Sequence, residues 1–305
     1  MNKRTLTAFF GLIFILLVFL ILSNQFALDS VLFPDPLSIA SKVRDQDELR
    51  VAEANFQIGM WKLSKKLPLN INDMLDYNGN YNFLIIIITS NRGYRKIDAY
   101  EPYYLTQTSI ALVKTLMSKN ESDFKNVAKI RILVCAISHT NDTNHDVHNV
   151  ELNRLRGIFG SNILISPPQH PDDSCKHTRD MSSCISLGMK RFPESDAVAV
   201  LEDDFLVTKH FHSALDLPEI PTIFSAQDLK SSVLGAATIL PREVARKVGE
   251  VENEMPCHSA KGEHIAKIAS ELGYNTLNVR PPAVIHIGMY SQTRNQIYDP
   301  NLFPH

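Results

Sequence analysis

From Ala197 the chain runs through Val198, Ala199, Val200 and Leu201 without a polar side chain, then delivers Glu202, Asp203 and Asp204 in succession. A short continuous apolar run of this kind predicts a strand buried on both faces of a parallel sheet. Its carboxyl end is where open α/β sheets keep their ligands. Three adjacent acids repel one another, and a hard divalent cation relieves that repulsion, since oxygen ligands suit Mg²⁺ or Mn²⁺ and such ions keep positions open for substrate phosphates. Two readings stand: a site for a metal and a diphosphate, or an acidic strand-to-loop junction that faces water.

The flanking sequence supplies the rest of such a sheet. Tyr81 to Thr89 is β-branched and continuous and ends in the polar turn Thr89-Ser90-Asn91-Arg92-Gly93. Leu105, Ile110, Leu112, Val113 and Leu116 fall near helical spacing within 103–117, and a second strand follows over Ile130 to Ile137. Strand, helix and strand in this order make a right-handed βαβ unit. A short strand over 162–166 and a helix over 178–191 lead into the acidic strand. The alternation predicts a Rossmann-type, mostly parallel sheet flanked by helices. No Gly-x-Gly-x-x-Gly follows the first strand and no P-loop occurs, so dinucleotide and P-loop readings lose their support. Nor is there a Gly-x-Ser-x-Gly elbow.

Before this region, Lys3 and Arg4 precede an uncharged run from Thr5 to Leu28 whose centre, Ala8 to Leu22, is nearly all Phe, Leu, Ile and Val. Its length suits a membrane-spanning helix over 6–28. A cleaved signal peptide is the alternative, but no small-x-small site follows Leu22. The basic flank puts residues 1–5 in the cytosol and the remainder in a lumen. Residues 29–80 then read as a stem with entry helices, and 81–305 as the globular domain. Cys135, Cys175, Cys184 and Cys257 all fall on the luminal side, where disulfides persist, and they allow three full connectivities. Cys135 with Cys184 is the expected pair, because the second strand and the helix before the acidic strand should be neighbours. The sequons Asn120-Glu121-Ser122 and Asn141-Asp142-Thr143 fit luminal glycosylation. A net charge of −2 without a basic stripe argues against a nucleic-acid partner.

The last third adds two groups. Glu263 falls at the start of a helix over 265–272, where the helix dipole favours negative charge, as a base or an acceptor-binding group requires. A charge that merely stabilises the helix is the plainer alternative. His286 lies between apolar neighbours next to Gly288, in Val284-Ile285-His286-Ile287-Gly288-Met289-Tyr290-Ser291. Alone, it would read as a core histidine.

Taken in order, Arg191-Phe192, Leu201-Glu202-Asp203-Asp204, Cys257-His258, Gly273-Tyr274 and His286-Ile287-Gly288-Met289-Tyr290-Ser291 resemble the Golgi GPI-N-acetylgalactosaminyltransferases. The Glu-Asp-Asp and His-Ile-Gly blocks also resemble the N-glycan branching N-acetylglucosaminyltransferases of the fourth type. The resemblance covers most of the chain from Tyr81 onward. It implies a GT-A-like domain that transfers N-acetylgalactosamine from UDP-GalNAc to the mannose of a GPI anchor, with inversion. It implies a Golgi enzyme acting on GPI-anchored proteins, and the apolar run over 6–28 with its basic flank gives that enzyme a single-pass type II topology. By the same resemblance, Asp204, Glu202 and His286 would hold Mn²⁺ or Mg²⁺. Glu202, Asp203, His286, Thr89, Ser90 and Arg92 would bind the UDP-sugar, with Asp204 and Glu263 as catalytic groups. An N-glycan branching enzyme, or an inactive glycosyltransferase-like binding protein, are the other readings. Two departures distinguish this chain. Residues 206–256 contain no apolar run long enough for the internal membrane hairpin of the GPI-GalNAc transferases. Where that family carries an Asp after Cys-His, His264 stands here, with Glu263 beside it.

Overall fold

The computed structural model describes residues 36–64, 75–90, 102–118, 124–137, 146–166, 176–216, 222–225, 237–250, 261–278, 282–288, 290–291 and 296–297. The expected membrane segment, Arg92, Cys175, Cys257 and both sequons lie outside them. Among the described helices none is long and apolar enough to cross a membrane.

The chain is a mixed α/β structure around a seven-stranded sheet. The strands are β1 (Tyr81–Ser90), β2 (Val127–Ile137), β3 (Ile163–Ser166), β4 (Ala197–Glu202), β6 (Thr222–Ser225), β7 (Ala237–Pro241) and β8 (Asn275–Asn278), in the spatial order β3-β2-β1-β4-β7-β6-β8. All neighbours from β3 to β4 run parallel, as do β6 and β8, while β7 is antiparallel to both of its neighbours. Short strands β5 (Phe205–Val207) and β9 (Val284–His286) pair antiparallel beside the sheet, and β10 (Tyr290–Ser291) pairs with β11 (Gln296–Ile297).

The continuous apolar runs explain the layering. In β1, Phe83, Ile85 and Ile87 enter one core, while Leu84 and Ile86 enter the other, and none is more than 1% exposed. Each such side chain contributes about 1.5–3 kcal/mol on burial. The first core is covered by α1 (Pro36–Leu63), α2 (Tyr104–Met117), α3 (Asp146–Phe159) and α5 (Phe211–Leu215). The second is covered by α4 (Lys176–Arg191), α6 (Arg242–Glu250) and α7 (Lys261–Glu271). Helix α1, within the expected stem and entry helices, buries Ala54, Ile58 and Trp61 in the first core, so this stretch is part of the packed body. Helix α3, which the sequence pattern did not reveal, contributes Leu152, Leu155, Ile158 and Phe159.

In the second layer Cys135 of β2 is joined to Cys184 of α4, with Cα atoms 5.8 Å apart. This is the pair expected from the adjacency of those two elements. Gly188 of α4 sits against Ile86 and Leu84, where a Cβ would come within 2.7 Å of Ile86 Cδ1.

Candidate active site at the β1–β4 switch point

Strand order locates the functional end of the sheet. From β1 the chain steps outward through β2 and β3, then returns to the opposite side of β1 as β4. Connections therefore diverge between β1 and β4, leaving a crevice beyond their carboxyl ends, where open α/β sheets bind ligands. Ile88 pairs with Glu202, so Thr89 and Ser90 at the end of β1 lie level with the acids that follow β4. The sequence signal and the topological signal fall on the same spot.

Each of the three acids has a different fate. Alternation along β4 puts Glu202, half-buried, on the face of Val198 and Val200. Asp203 turns into the structure: its Oδ2 accepts a hydrogen bond of 2.6 Å from Thr89 Oγ1, and its amide donates to Ile88 O at 3.1 Å. Its carbonyl accepts a further bond of 2.6 Å from Thr108 Oγ1 of α2. Asp204 is 4% exposed, and its Oδ2 lies 3.3 Å from His286 Nε2.

The β5–β9 pair brings His286 to Asp204 across 82 residues of sequence. Phe205 is the partner of His286 in that ladder, and their rings stand 4.9 Å apart. Ile287 donates its amide to Asp204 O at 2.8 Å. At Gly288 a Cβ would collide with Asp204 Oδ2 and lie 2.9 Å from His286 Nε2, so any side chain there would displace the pair. Three consecutive residues thus divide the labour, His286 placing its ring, Ile287 tethering the backbone and Gly288 leaving clearance.

Thr89, Ser90, Glu202, Asp203, Asp204 and His286 are gathered at one end of the sheet. Glu263 stands exposed in the first turn of α7, a helix that packs on α6 and β8 in the second layer. Its neighbour His264 is buried, and that burial lowers the imidazole pKa and favours the neutral ring. Among the described residues no three His, Cys, Asp or Glu side chains converge as a metal site. Asp204 and His286 are in contact, and Glu202 lies on the face of Val198 and Val200.

Sequence reasoning missed Glu151. It is 6% exposed on α3 and accepts a hydrogen bond of 2.8 Å from the amide of Thr106, at the start of α2. Burial pushes its carboxyl up to about 7, against the Thr106 bond, and the nearby Asp203 charge adds to the rise. One signal was present: Glu151 stands four residues before Leu155 and seven before Ile158, an acid on the apolar stripe of its helix.

Behind the acidic turn, on the side of Leu206, a groove of about 390 Å³ opens between α1 and α2, bordered by Arg50, Gln107, Ile110, Lys114 and Lys209.

No protein-family model matches the sequence, and no curated protein does. Among solved structures, the chain is similar to a glycosyltransferase involved in glycosylation of the major capsid of PBCV-1, at 11% identity and a TM-score of 0.40, covering 71% of this chain and 97% of that one. It is also similar to residues 1–349 of S. aureus TarS, at 12% identity and a TM-score of 0.40, covering 67% of this chain and 59% of that one. The inositol-1-phosphate CTP transferase from T. maritima is similar at 9% identity and a TM-score of 0.38, covering 66% of this chain and 86% of that one. Likenesses this loose carry no functional assignment.

Proposed function

We propose that the chain is a metal-dependent glycosyltransferase of GT-A type that uses a UDP-N-acetylhexosamine. The observation that carries this reading is the Asp204–His286 pair under Gly288, placed at the β1–β4 switch point. A carboxylate oxygen and an imidazole nitrogen are donors that Mn²⁺ accepts readily, and such ions take the rest of their ligands from water and substrate phosphates. Two protein donors and a clearance enforced by glycine fit that arrangement. Bound there, Mn²⁺ or Mg²⁺ would neutralise the charge of a departing diphosphate.

The chain's own residues do the remaining work. Asp203, locked by Thr89 and Thr108, fixes the turn on which Asp204 is presented. Glu202 and Ser90 border the crevice and would meet the sugar nucleotide, and Arg92, two residues further along the sequence, is proposed to join them. Thr89 commits its hydroxyl to Asp203, so its proposed role is positioning. In an inverting transfer the acceptor oxygen attacks the anomeric carbon as the bond to UDP breaks, and a carboxylate takes the hydroxyl proton. Glu263, the exposed acid of α7, is the proposed base.

For the donor we propose UDP-GalNAc and for the acceptor the mannose of a GPI anchor, on the resemblance of the collinear blocks. The Cys135–Cys184 disulfide supports a Golgi-lumen location, since such bonds persist in oxidising compartments. The apolar run over 6–28 supports a type II anchor. Full-length protein with Mn²⁺ should transfer GalNAc from UDP-GalNAc to a GPI glycan, and cells lacking it should lose GalNAc-bearing GPI. Unchanged GPI glycans would remove the acceptor assignment. Failure to use any UDP-sugar would remove the enzyme reading.

A further inference from the structure

Three consecutive residues in the first turn of α2 each hold a different part of the molecule. Thr106 gives its amide to Glu151 of α3. Gln107 accepts from Arg50 Nε of α1 at 2.7 Å and donates back to Pro102 O. Thr108 bonds the carbonyl of Asp203. The turn that carries the acids is therefore fastened to a helix start, and that helix start is fastened to two other helices.

The helix start needs fastening. Tyr103, at its N-cap, has φ of 48°, a left-handed conformation that is uncommon for a bulky residue, and supplies no side-chain cap. The first amides of a helix lack intrahelical partners, and the cap that is missing locally comes from Glu151, 45 residues away. One turn along the same face of α3, Arg154 places its guanidinium 5.6 Å from the centroid of the Tyr103 ring and also bonds Asn55 of α1 at 3.0 Å. Both α3 side chains thus bear on one strained entry, and that entry holds Asp203.

We propose that Glu151 is a positioning residue for the acidic turn, acting through the first turn of α2 rather than by touching substrate. Its purpose within the glycosyltransferase reading is to hold Asp203, and so Asp204, at a fixed height over the crevice. The structural claim itself does not depend on that reading. Positioning of this kind does not require a carboxylate, because any side chain that offers an oxygen to Thr106 serves.

The test uses full-length protein in detergent and three variants. Hydrogen exchange at Glu202–Val207 and at Thr106–Thr108 should quicken about fivefold or more in Glu151→Ala, the change that loss of a helix cap produces. It should stay near wild type in Glu151→Gln, which keeps the acceptor. Leu155→Ala, one turn away on α3 and buried in the same core, controls for general destabilisation: its exchange should rise in α3 without singling out 202–207. Unchanged exchange at 202–207 in Glu151→Ala, or an equal rise there in Leu155→Ala, overturns the proposal. Affinity for UDP with Mn²⁺ is measured in parallel and should fall about tenfold in Glu151→Ala alone. Quickened exchange with no UDP binding by the wild type would leave the positioning role standing and sink the enzyme reading.

Discussion

The two layers that sandwich the sheet are built to different specifications. The second layer, under α4, α6 and α7, presses apolar side chains on the sheet, threads Gly188 between Ile86 and Leu84, and closes with a disulfide. Both layers bury polar groups, Asp180, Ser182, Ser183 and His264 among them in the second, but the first gathers Thr89, Thr108, Glu151, Asp203 and Asp204 about the acidic turn, with Asp47 and Gln107 behind them. Buried polar groups are costly unless answered, and in the first layer most of them are joined in one chain of hydrogen bonds that leads from α1 to the acidic turn. Both layers carry an apolar core, and the first adds the hydrogen bonds that hold the acidic turn.

The sharpest way to break this contrast is at its polar end. Asp204→Ala should abolish metal-dependent nucleotide binding, lowering turnover by about a thousandfold or more, while far-UV circular dichroism stays native. Retained turnover would dissolve the distinction. In the second layer the largest effect should come from Cys135→Ala with Cys184→Ala, which should cost about 2–4 kcal/mol in chemical denaturation and leave nucleotide affinity unaltered.

Acidity separates the layers next. Glu151 is raised from 4.5 to about 7, and Asp47 from 3.8 to about 6, in both cases chiefly by burial. The folded state then holds those protons more tightly than the unfolded state does, so stability falls as pH rises through this window and is fullest below it. For Glu151 the change between about pH 4.5 and 7 is on the order of 3 kcal/mol in metal-free protein. Denaturant titrations at several pH values should show the slope, and Glu151→Gln should flatten it. An unaltered slope in that variant would assign the effect elsewhere.

The smallest expected effects come from a matched pair of glycines. Gly288→Ala and Gly188→Ala both force a methyl into closed space and should each cost about 1–3 kcal/mol. Only Gly288→Ala should weaken nucleotide binding, because only its methyl meets Asp204 and His286. Equal losses of binding in both would mean the site is no more sensitive than the core.

Much of the frame could be read in advance, for identifiable reasons. The runs over 81–89, 130–137 and 197–201 are continuous because each strand is covered on both faces, and such runs are legible without partners. The acids announced themselves by their cost at a strand end, and Cys135–Cys184 followed from the adjacency of β2 and α4. What escaped depends on contacts between distant segments. Nothing local in Phe205–Val207 or Val284–His286 reveals that they pair, yet that pairing selects His286 as the partner of Asp204. Glu151 in a polar-looking helix, and the stretch over 36–63, gain their meaning only once α1 and α3 close on the start of α2. Glu202 is expected beside Asp204 as a metal ligand, and strand alternation puts it on the face of Val198 and Val200.

The central claim is that Asp204 and His286 form a metal and nucleotide site at the switch point. Thermal unfolding of the full-length protein, with UDP, UDP-GalNAc and UDP-GlcNAc, each with and without Mn²⁺, tests it most directly. The account predicts a rise of several degrees that requires both metal and nucleotide and disappears in Asp204→Ala, since a ligand that binds only the folded state stabilises it by mass action. An unfolding temperature that no combination moves, or a rise that survives in Asp204→Ala, would contradict it.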